Sequence, residues 1–395
     1  MNLRKVVITG YGIKAPKIDN KKDFQEVLKQ GICTHQILTG AGPDGSNVVV
    51  GLIEDTFENI SGKNYKRYTR VSRLAMAAAD DAIDMAGLRG EDSNRVAIII
   101  GSSAGGMLEI EKYSPYSADY RKLPLHSVAL ANMHTLSSAV ASHLGINGQV
   151  YTVSTGCTSS SDAILMGKLL IESGMVDRCI VGGADASVSS WSIYGFLKLR
   201  NLAKNAEIGH TGVPFSDAHS GFVMAEGAGI IVLESEEHAK DRGTFIYGRL
   251  EGAYSNNAGF PLFQADIDGQ SMIKAIQGAI GSQLPSYVNS QALGLQENDH
   301  IDRIAHHSLF GRNIPITSIK GMTGHAFGSS GAIQIISALI SIEDNIIPPT
   351  IKTKGEGFED LPIVKEIIHT KVDSVVITTH GYGGNNTSLF VTRYL

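Results

Sequence analysis

Cysteine is scarce in this chain of 395 residues: Cys33, Cys157 and Cys179 are too few and too scattered for a disulfide framework, and no C-x-x-C pair marks a metal site. A reducing compartment is therefore expected, with no bound metal. An excess of charge is lacking too. The 34 Lys plus Arg stand against 39 Asp plus Glu, a net −5 that gives no support to a nucleic-acid binder. Long apolar runs are also missing. The opening MNLRKVVITG has no extended apolar region behind its charges, and no window approaches the ~20 apolar residues of a membrane span. The expectation is a cytoplasmic protein that does not enter a membrane. No low-complexity linker interrupts the chain, whose longest loop-like stretch is IPPTIKTKGEGFEDLP, 347–362. Two halves sharing one interface are expected, not two domains on a tether.

What is present is a large core in the making, with 43% hydrophobic and 18% charged residues. Apolar β-rich runs alternate with segments of helical period, the pattern of an α/β protein. VVIT, RVAIIIG, QVYTVS, RCIVGGAD and GIIVLES read as strands of a first half, with a long helix over SRLAMAAADDAIDMAG and another from about Ser159 to Ser173. The second half repeats the alternation with IYGRLEGAY, HIDRIAHH, SVVITTH and SLFVTRY as strands. Many of the 44 glycines gather at strand exits, where backbone passes close to other backbone or to a ligand.

One exit carries chemistry. In VSTGCTSSSDA, residues 153–163, a strand is followed by Thr155, Gly156, Cys157 and a helix, so the thiol projects from a sharp turn. This is the thiol counterpart of the hydrolase nucleophile elbow. The helix N-terminus is expected to lower the thiol pKa and to offer an N–H to an oxyanion. The competing reading is a small packing residue at a turn. A nucleophilic cysteine needs a partner for its proton, and histidines stand at three exits of the second half: His306 and His307 in DRIAHHSLFG, His325 with Lys320 in KGMTGHAFGSSGA, and His380 in TTHGYGGNN. Folds of this class collect their active sites at such ends.

These motifs, in this order, resemble the β-ketoacyl synthases of the elongating type, and the GCTS version is similar to the type II polyketide ketosynthases. The resemblance runs almost end to end: VVITGYG, GSSAGG, VSTGCTSSSDA, CIVGGADAS, PFSDAHSGFVMAEGAG, KGMTGHAFGSSGA and HGYGGNN. It implies the thiolase fold, five layers αβαβα from two similar halves, here 1–240 with the nucleophile and a shortened 241–395 with the histidines. It implies an acyltransferase that joins an acyl thioester to malonyl on acyl carrier protein by decarboxylative Claisen condensation, in a specialised fatty-acid or polyketide pathway. Cys157 would be the acyl acceptor, His306 and His325 the two histidines, and Lys320 the supporting lysine. Backbone N–H groups of Cys157 and His380 would form the oxyanion hole. The implied cofactor count is zero, because substrates ride on the carrier's phosphopantetheine, and the implied assembly is a homodimer or a heterodimer with a ketosynthase-like partner. A malonyl decarboxylase, an acyl-transferring relative and a non-catalytic chain-length-type subunit are the alternatives.

The departures are specific. After His306 the text runs His307, Ser308, Leu309, Phe310, not Gly-Thr-Gly-Thr, and Lys320 follows only 14 positions later, as though a segment were missing. The threonines that hold the pantetheine arm have no counterparts. Gln334 stands for a glutamate of the lysine network, Ser216, His219 and Ser220 replace an Asp and Arg pattern, and His380 replaces the phenylalanine gate, with Tyr382 beside it. Lys63, Lys66, Arg67 and Arg70 fall at i, i+3, i+4 and i+7, one basic stripe if helical. That stripe is the expected dock for an acidic carrier protein.

Overall fold

The computed structural model describes residues 3–90, 93–203, 207–219, 221–261 and 266–395, without the side chains of Ser61 and Lys63. Ser220 lies outside the described residues. The first half supplies strands β1 (Val6–Lys14), β2 (Val96–Gly101), β3 (Gln149–Val153), β4 (Arg178–Asp185) and β5 (Gly227–Ser235). The second supplies β6 (Gly248–Asn257), β7 (Tyr287–Asn289), β8 (Ile316–Thr317), β9 (Ser374–His380) and β10 (Asn385–Thr392).

All ten form one sheet in the order β8-β7-β9-β10-β6-β1-β5-β4-β2-β3. The halves repeat one topology. In each, the second strand is parallel to the third and fourth, the fourth antiparallel to the fifth, and the fifth antiparallel to the first. They join at β1 and β6 through Val7 opposite Arg249 and Ile8 opposite Gly248.

Strand alternation explains the layering. In β2, Ile98 and Ile100 face an outer core with Leu74 and Val140 of helices α1 (Arg70–Ala86) and α2 (Thr135–Leu144), while Ala97 and Ile99 face inward. The inward faces of both halves enclose α3 (Ser159–Glu172) and α6 (Ser330–Asp344). On the far side, Val376 and Phe390 pack against Met272, Ile276 and Ile301 of α4 (Gln270–Ile280) and α5 (Gln296–Phe310). The result is helix, sheet, helix, sheet, helix, with strands covered on both faces and therefore nearly continuous in apolar residues. Each fully buried Ile, Val or Leu contributes about 1.5–3 kcal/mol. In the middle layer α3 and α6 meet through small polar groups: Ser160 Oγ accepts the Ala332 N–H at 3.1 Å.

Two local expectations are corrected. HIDRIAHH is the heart of helix α5, not a strand, and the strand before it is the short Tyr287–Asn289. The strand–helix–strand unit β7–α5–β8 is whole, so the second half has no gap in its topology. GKNYKRYTR is not one α-helix either. Glu58–Arg67 is a 3-10 run broken at Gly62, and α1 begins afresh at Arg70 behind the Thr69 cap.

Candidate active site

Cys157 stands at the middle of a 3-10 turn, Gly156–Thr158, between β3 and α3. Gly156 has φ +68°, a left-handed conformation that makes the turn and that a side chain would strain. The buried carboxylate of Asp162 clamps both sides of the thiol: it accepts the hydroxyls of Thr155 at 2.5 Å and Thr158 at 2.8 Å, and that of Thr387 of β10 at 2.6 Å. From the other half Gly381 comes so near that a Cβ there would sit 3.2 Å from Cys157 Sγ. The elbow is thus wedged between the halves.

His325 closes the site from the second half. Its Nε2 lies 3.2 Å from Cys157 Sγ and its Nδ1 3.1 Å from Ser330 Oγ at the start of α6. Burial, then Asp185, pushes the thiol up to about 12 against the opposing charge of Lys320. The expected lowering by the helix N-terminus is overturned: desolvation outweighs it, and the resting thiol keeps its proton. Burial, with the nearby charges of Lys320 and His380, holds His325 well below the imidazole range. The resting pair is therefore neutral. A thiol that donates to Nε2 leaves the ring proton on Nδ1, donated to Ser330.

Lys320 is buried, brought down to about 8 by desolvation, with Asp302, Cys157 and Asp299 pulling the other way. Its Nζ donates to Gln334 Oε1 at 3.1 Å, while Gln334 Nε2 donates to the carbonyls of Asn289, Ser290 and Thr378. Gln334 thus binds Lys320 without neutralising it.

Cys157, His325, His380 and Tyr382 all line one cleft of about 620 Å³, together with a residue the sequence reading passed over, Gln291. Gln291 follows the exit of β7, beside the exits of β9 and β8, and its Nε2 donates to the His380 carbonyl at 3.2 Å. His380 ends β9, its Nε2 3.2 Å from Oδ2 of buried Asp302. Asp299, one turn earlier on α5 and pushed up to about 7 by burial, accepts the N–H groups of Leu293 at 2.8 Å, Gly294 at 3.1 Å and Phe215 at 2.8 Å, fixing the cleft's Leu293 wall. Phe222 and Phe327 pack on the His325 ring, with centroids 5.4 and 5.1 Å away. Asn201 Nδ2 donates to the Tyr382 hydroxyl at the cleft wall.

The structure does not bring every expected residue here. His306 is on α5, one turn beyond Asp302, buried against Phe310 and not among the cleft residues; desolvation takes it down to about 4. A helical period carries its ring into the outer layer, and the exit where a first histidine was expected holds Gln291. The signal was YVNSQ: the strand-favouring pair Tyr287 and Val288 followed by polar residues. Of the basic stripe, Lys66 and Arg67 are exposed, and the Lys63 side chain lies outside the described residues. Arg70 is no free cation. Its guanidinium is bidentate on buried Glu226, at 2.6 and 2.8 Å, and donates to the Ile53 and Asp55 carbonyls. Among the described residues no cluster of three or more His, Cys, Asp or Glu could hold a metal, and no helix is long and apolar enough to cross a membrane.

The arrangement can do one thing well: hold an acyl group on a thiol at a helix N-terminus while a second thioester enters the same cleft. The family models for the β-ketoacyl synthase N-terminal and C-terminal domains match residues 3–239 and 247–354. The tetracenomycin polyketide synthase ketoacyl synthase alpha subunit of Streptomyces glaucescens is 30% identical over 99% of this chain and 97% of its own. A β-ketoacyl synthase of Burkholderia phymatum superposes with a TM-score of 0.89 at 25% identity, covering 99% of this chain and 100% of that one. A type II polyketide ketosynthase, solved in complex with its acyl-carrier protein and bound to the hexaketide, gives 0.88 at 25% identity over 99% and 100%. With its thiolase fold and a thiol elbow set against His325 and Lys320, the chain belongs to the β-ketoacyl synthase family of condensing acyltransferases.

Proposed function

We propose that this protein condenses an acyl group held on Cys157 with malonyl carried by an acyl carrier protein, releasing carbon dioxide. The observation that carries the reading is the 3.2 Å contact between Cys157 Sγ and His325 Nε2 at the wall of a cleft of about 620 Å³. In the first half-reaction the thiol gives its proton to His325, Sγ attacks the acyl carbonyl, and the departing arm thiolate takes the proton back. In the second, the malonyl C–C bond breaks, the enolate carbon attacks acyl-Cys157, and the thiolate is released. No bound cofactor takes part, since the arm belongs to the carrier.

The carrier meets Lys66 and Arg67, whose exposed side chains suit an acidic partner. A second ketosynthase-like chain completes the molecule. The "alpha subunit" of the tetracenomycin relative's name supports this, as do edge strand β3 and the exposed Leu125, Val128, Leu169 and Met175. Intact-mass analysis of the protein, with its partner chain where one is required, after acyl carrier protein and then malonyl carrier protein tests the reading. Acyl-Cys157 followed by ketoacyl product is expected; carbon dioxide without elongation would point to a decarboxylase. Charge reversal at Lys66 and Arg67 is expected to slow transfer from the carrier about tenfold and spare small thioester mimics. Equal loss with both substrates would remove the dock.

A further inference from the structure

We propose that His380 is a catalytic residue of the condensation step and that Asp302 positions it. The inference rests on the condensing reading above. Decarboxylation leaves negative charge on a thioester oxygen, and a site in low dielectric must meet that charge with a donor. Beside Cys157 the cleft holds one imidazole at hydrogen-bond distance, His325, and the exit expected to hold a second histidine holds Gln291. An amide can donate, but it cannot take or release a proton.

His380 can. It lines the same cleft and directly precedes Gly381, where an added Cβ would sit 3.2 Å from the thiol. Asp302 reaches it from the outer layer: one carboxylate oxygen lies 3.2 Å from His380 Nε2, and the other accepts the Thr378 hydroxyl at 2.9 Å. A carboxylate on Nε2–H fixes the ring's orientation and leaves Nδ1 for the cleft. Gln291 braces the strand exit by donating its side-chain N–H to the His380 carbonyl at 3.2 Å and its backbone N–H to Thr378 Oγ1 at 3.1 Å.

The step balances. The malonyl C–C bond breaks and carbon dioxide leaves without the electron pair, which stays as the enolate facing the His380 imidazolium. The enolate carbon forms the new C–C bond to the acyl carbonyl. The C–S bond to Cys157 breaks, the sulfur keeps its pair and takes the proton that the imidazolium supplies, and His380 reloads from water.

The two half-reactions separate the test. With the protein used as above, Cys157 is loaded from acyl carrier protein, then malonyl carrier protein is added, and acyl-enzyme and ketoacyl product are followed by mass. His380→Phe and His380→Asn are expected to load at close to the wild-type rate and to condense about a hundredfold more slowly; Asn keeps a polar contact with Asp302 should Phe not fold. Asp302→Asn is expected to load at close to the wild-type rate and to condense about tenfold more slowly, because the His380 ring loses the carboxylate that orients it. Condensation at the wild-type rate in folded His380→Asn overturns the role, as does an equal loss of loading and condensation. If the wild-type protein loads but makes no ketoacyl product, the condensing reading itself fails.

Discussion

The two halves enter their inner helices through the same kind of 3-10 turn and use it oppositely. In the first, Gly156–Thr158 leads into α3 and places Cys157 against Gly381 at the β9 exit of the second half. In the second, Phe327–Ser329 leads into α6 and places Gly328 against Asp185 at the β4 exit of the first half. Asp185 accepts the N–H groups of Gly328 at 2.7 Å, Ser103 at 2.9 Å and Ala104 at 3.0 Å, and the Ser102 hydroxyl at 2.8 Å. A helix N-terminus attracts an anion. The second half satisfies its turn with a carboxylate built into the chain; the first leaves its turn facing the cleft that Cys157 lines. Even the strain differs, since φ is positive at Gly156 and also at Phe327, where a side chain bears it and closes the cleft over His325.

The largest way to break this comparison is at the open turn. Cys157→Ala is expected to abolish loading, a loss of about a thousandfold or more, because nothing at the closed turn can replace a nucleophile. Intact mass after acyl carrier protein reads it, and the melting temperature should hardly move.

The closed turn should answer with stability and with opposite sign in reactivity. Asp185→Asn keeps one acceptor and turns an NH2 toward donors, costing about 2–3 kcal/mol by denaturant unfolding. Its negative charge is also one of the causes that raise the Cys157 thiol. Removing it should therefore lower the thiol pKa, so that alkylation begins at lower pH although the fold is weaker. A weaker fold with an unchanged alkylation profile would mean that the two turns are not electrically coupled. Gly328→Ala is the milder version: the added Cβ would meet the Ser103 nitrogen at 2.7 Å, costing about 1–3 kcal/mol.

The helices behind the turns differ as well. Four residues after its first serine, α3 carries Ala163 and α6 carries Gln334. Gln334→Glu would place a charge beside Lys320, yet the carboxylate could not donate to the carbonyls of Asn289, Ser290 and Thr378. We expect a net loss of about 1–2 kcal/mol, read by urea unfolding, despite the new ion pair.

Legibility followed the same divide. The open turn was readable because its chemistry is local: Gly156, Cys157 and a run of serines sit together between a strand and a helix. His325 and Lys320 were readable in one loop. The rest of the site is made by topology, which brings Gln291, Asp302 and His380 together from a strand exit, an outer helix and a distant strand. His306 misled because HIDRIAHH was read as a strand, although its apolar residues Ile301, Ile304 and Ala305 follow the i, i+3, i+4 spacing of a helix, which α5 adopts. Arg70 misled because Glu226, its partner, lies 156 positions away.

The smallest effect is the most direct measure of how the open turn is tuned. Lys320 is the cation that offsets burial at the thiol, and it loses its own proton at about 8. Below that pH it is charged and favours the thiolate; above it the help fades. Lys320→Met, which fills the volume without charge, should slow Cys157 alkylation several-fold at pH 7. The ratio of wild-type to variant rates should shrink toward one as pH rises through about 8, because the wild-type protein then resembles the variant. A ratio that stays constant across that range would mean that Lys320 acts on the thiol by packing and not by charge.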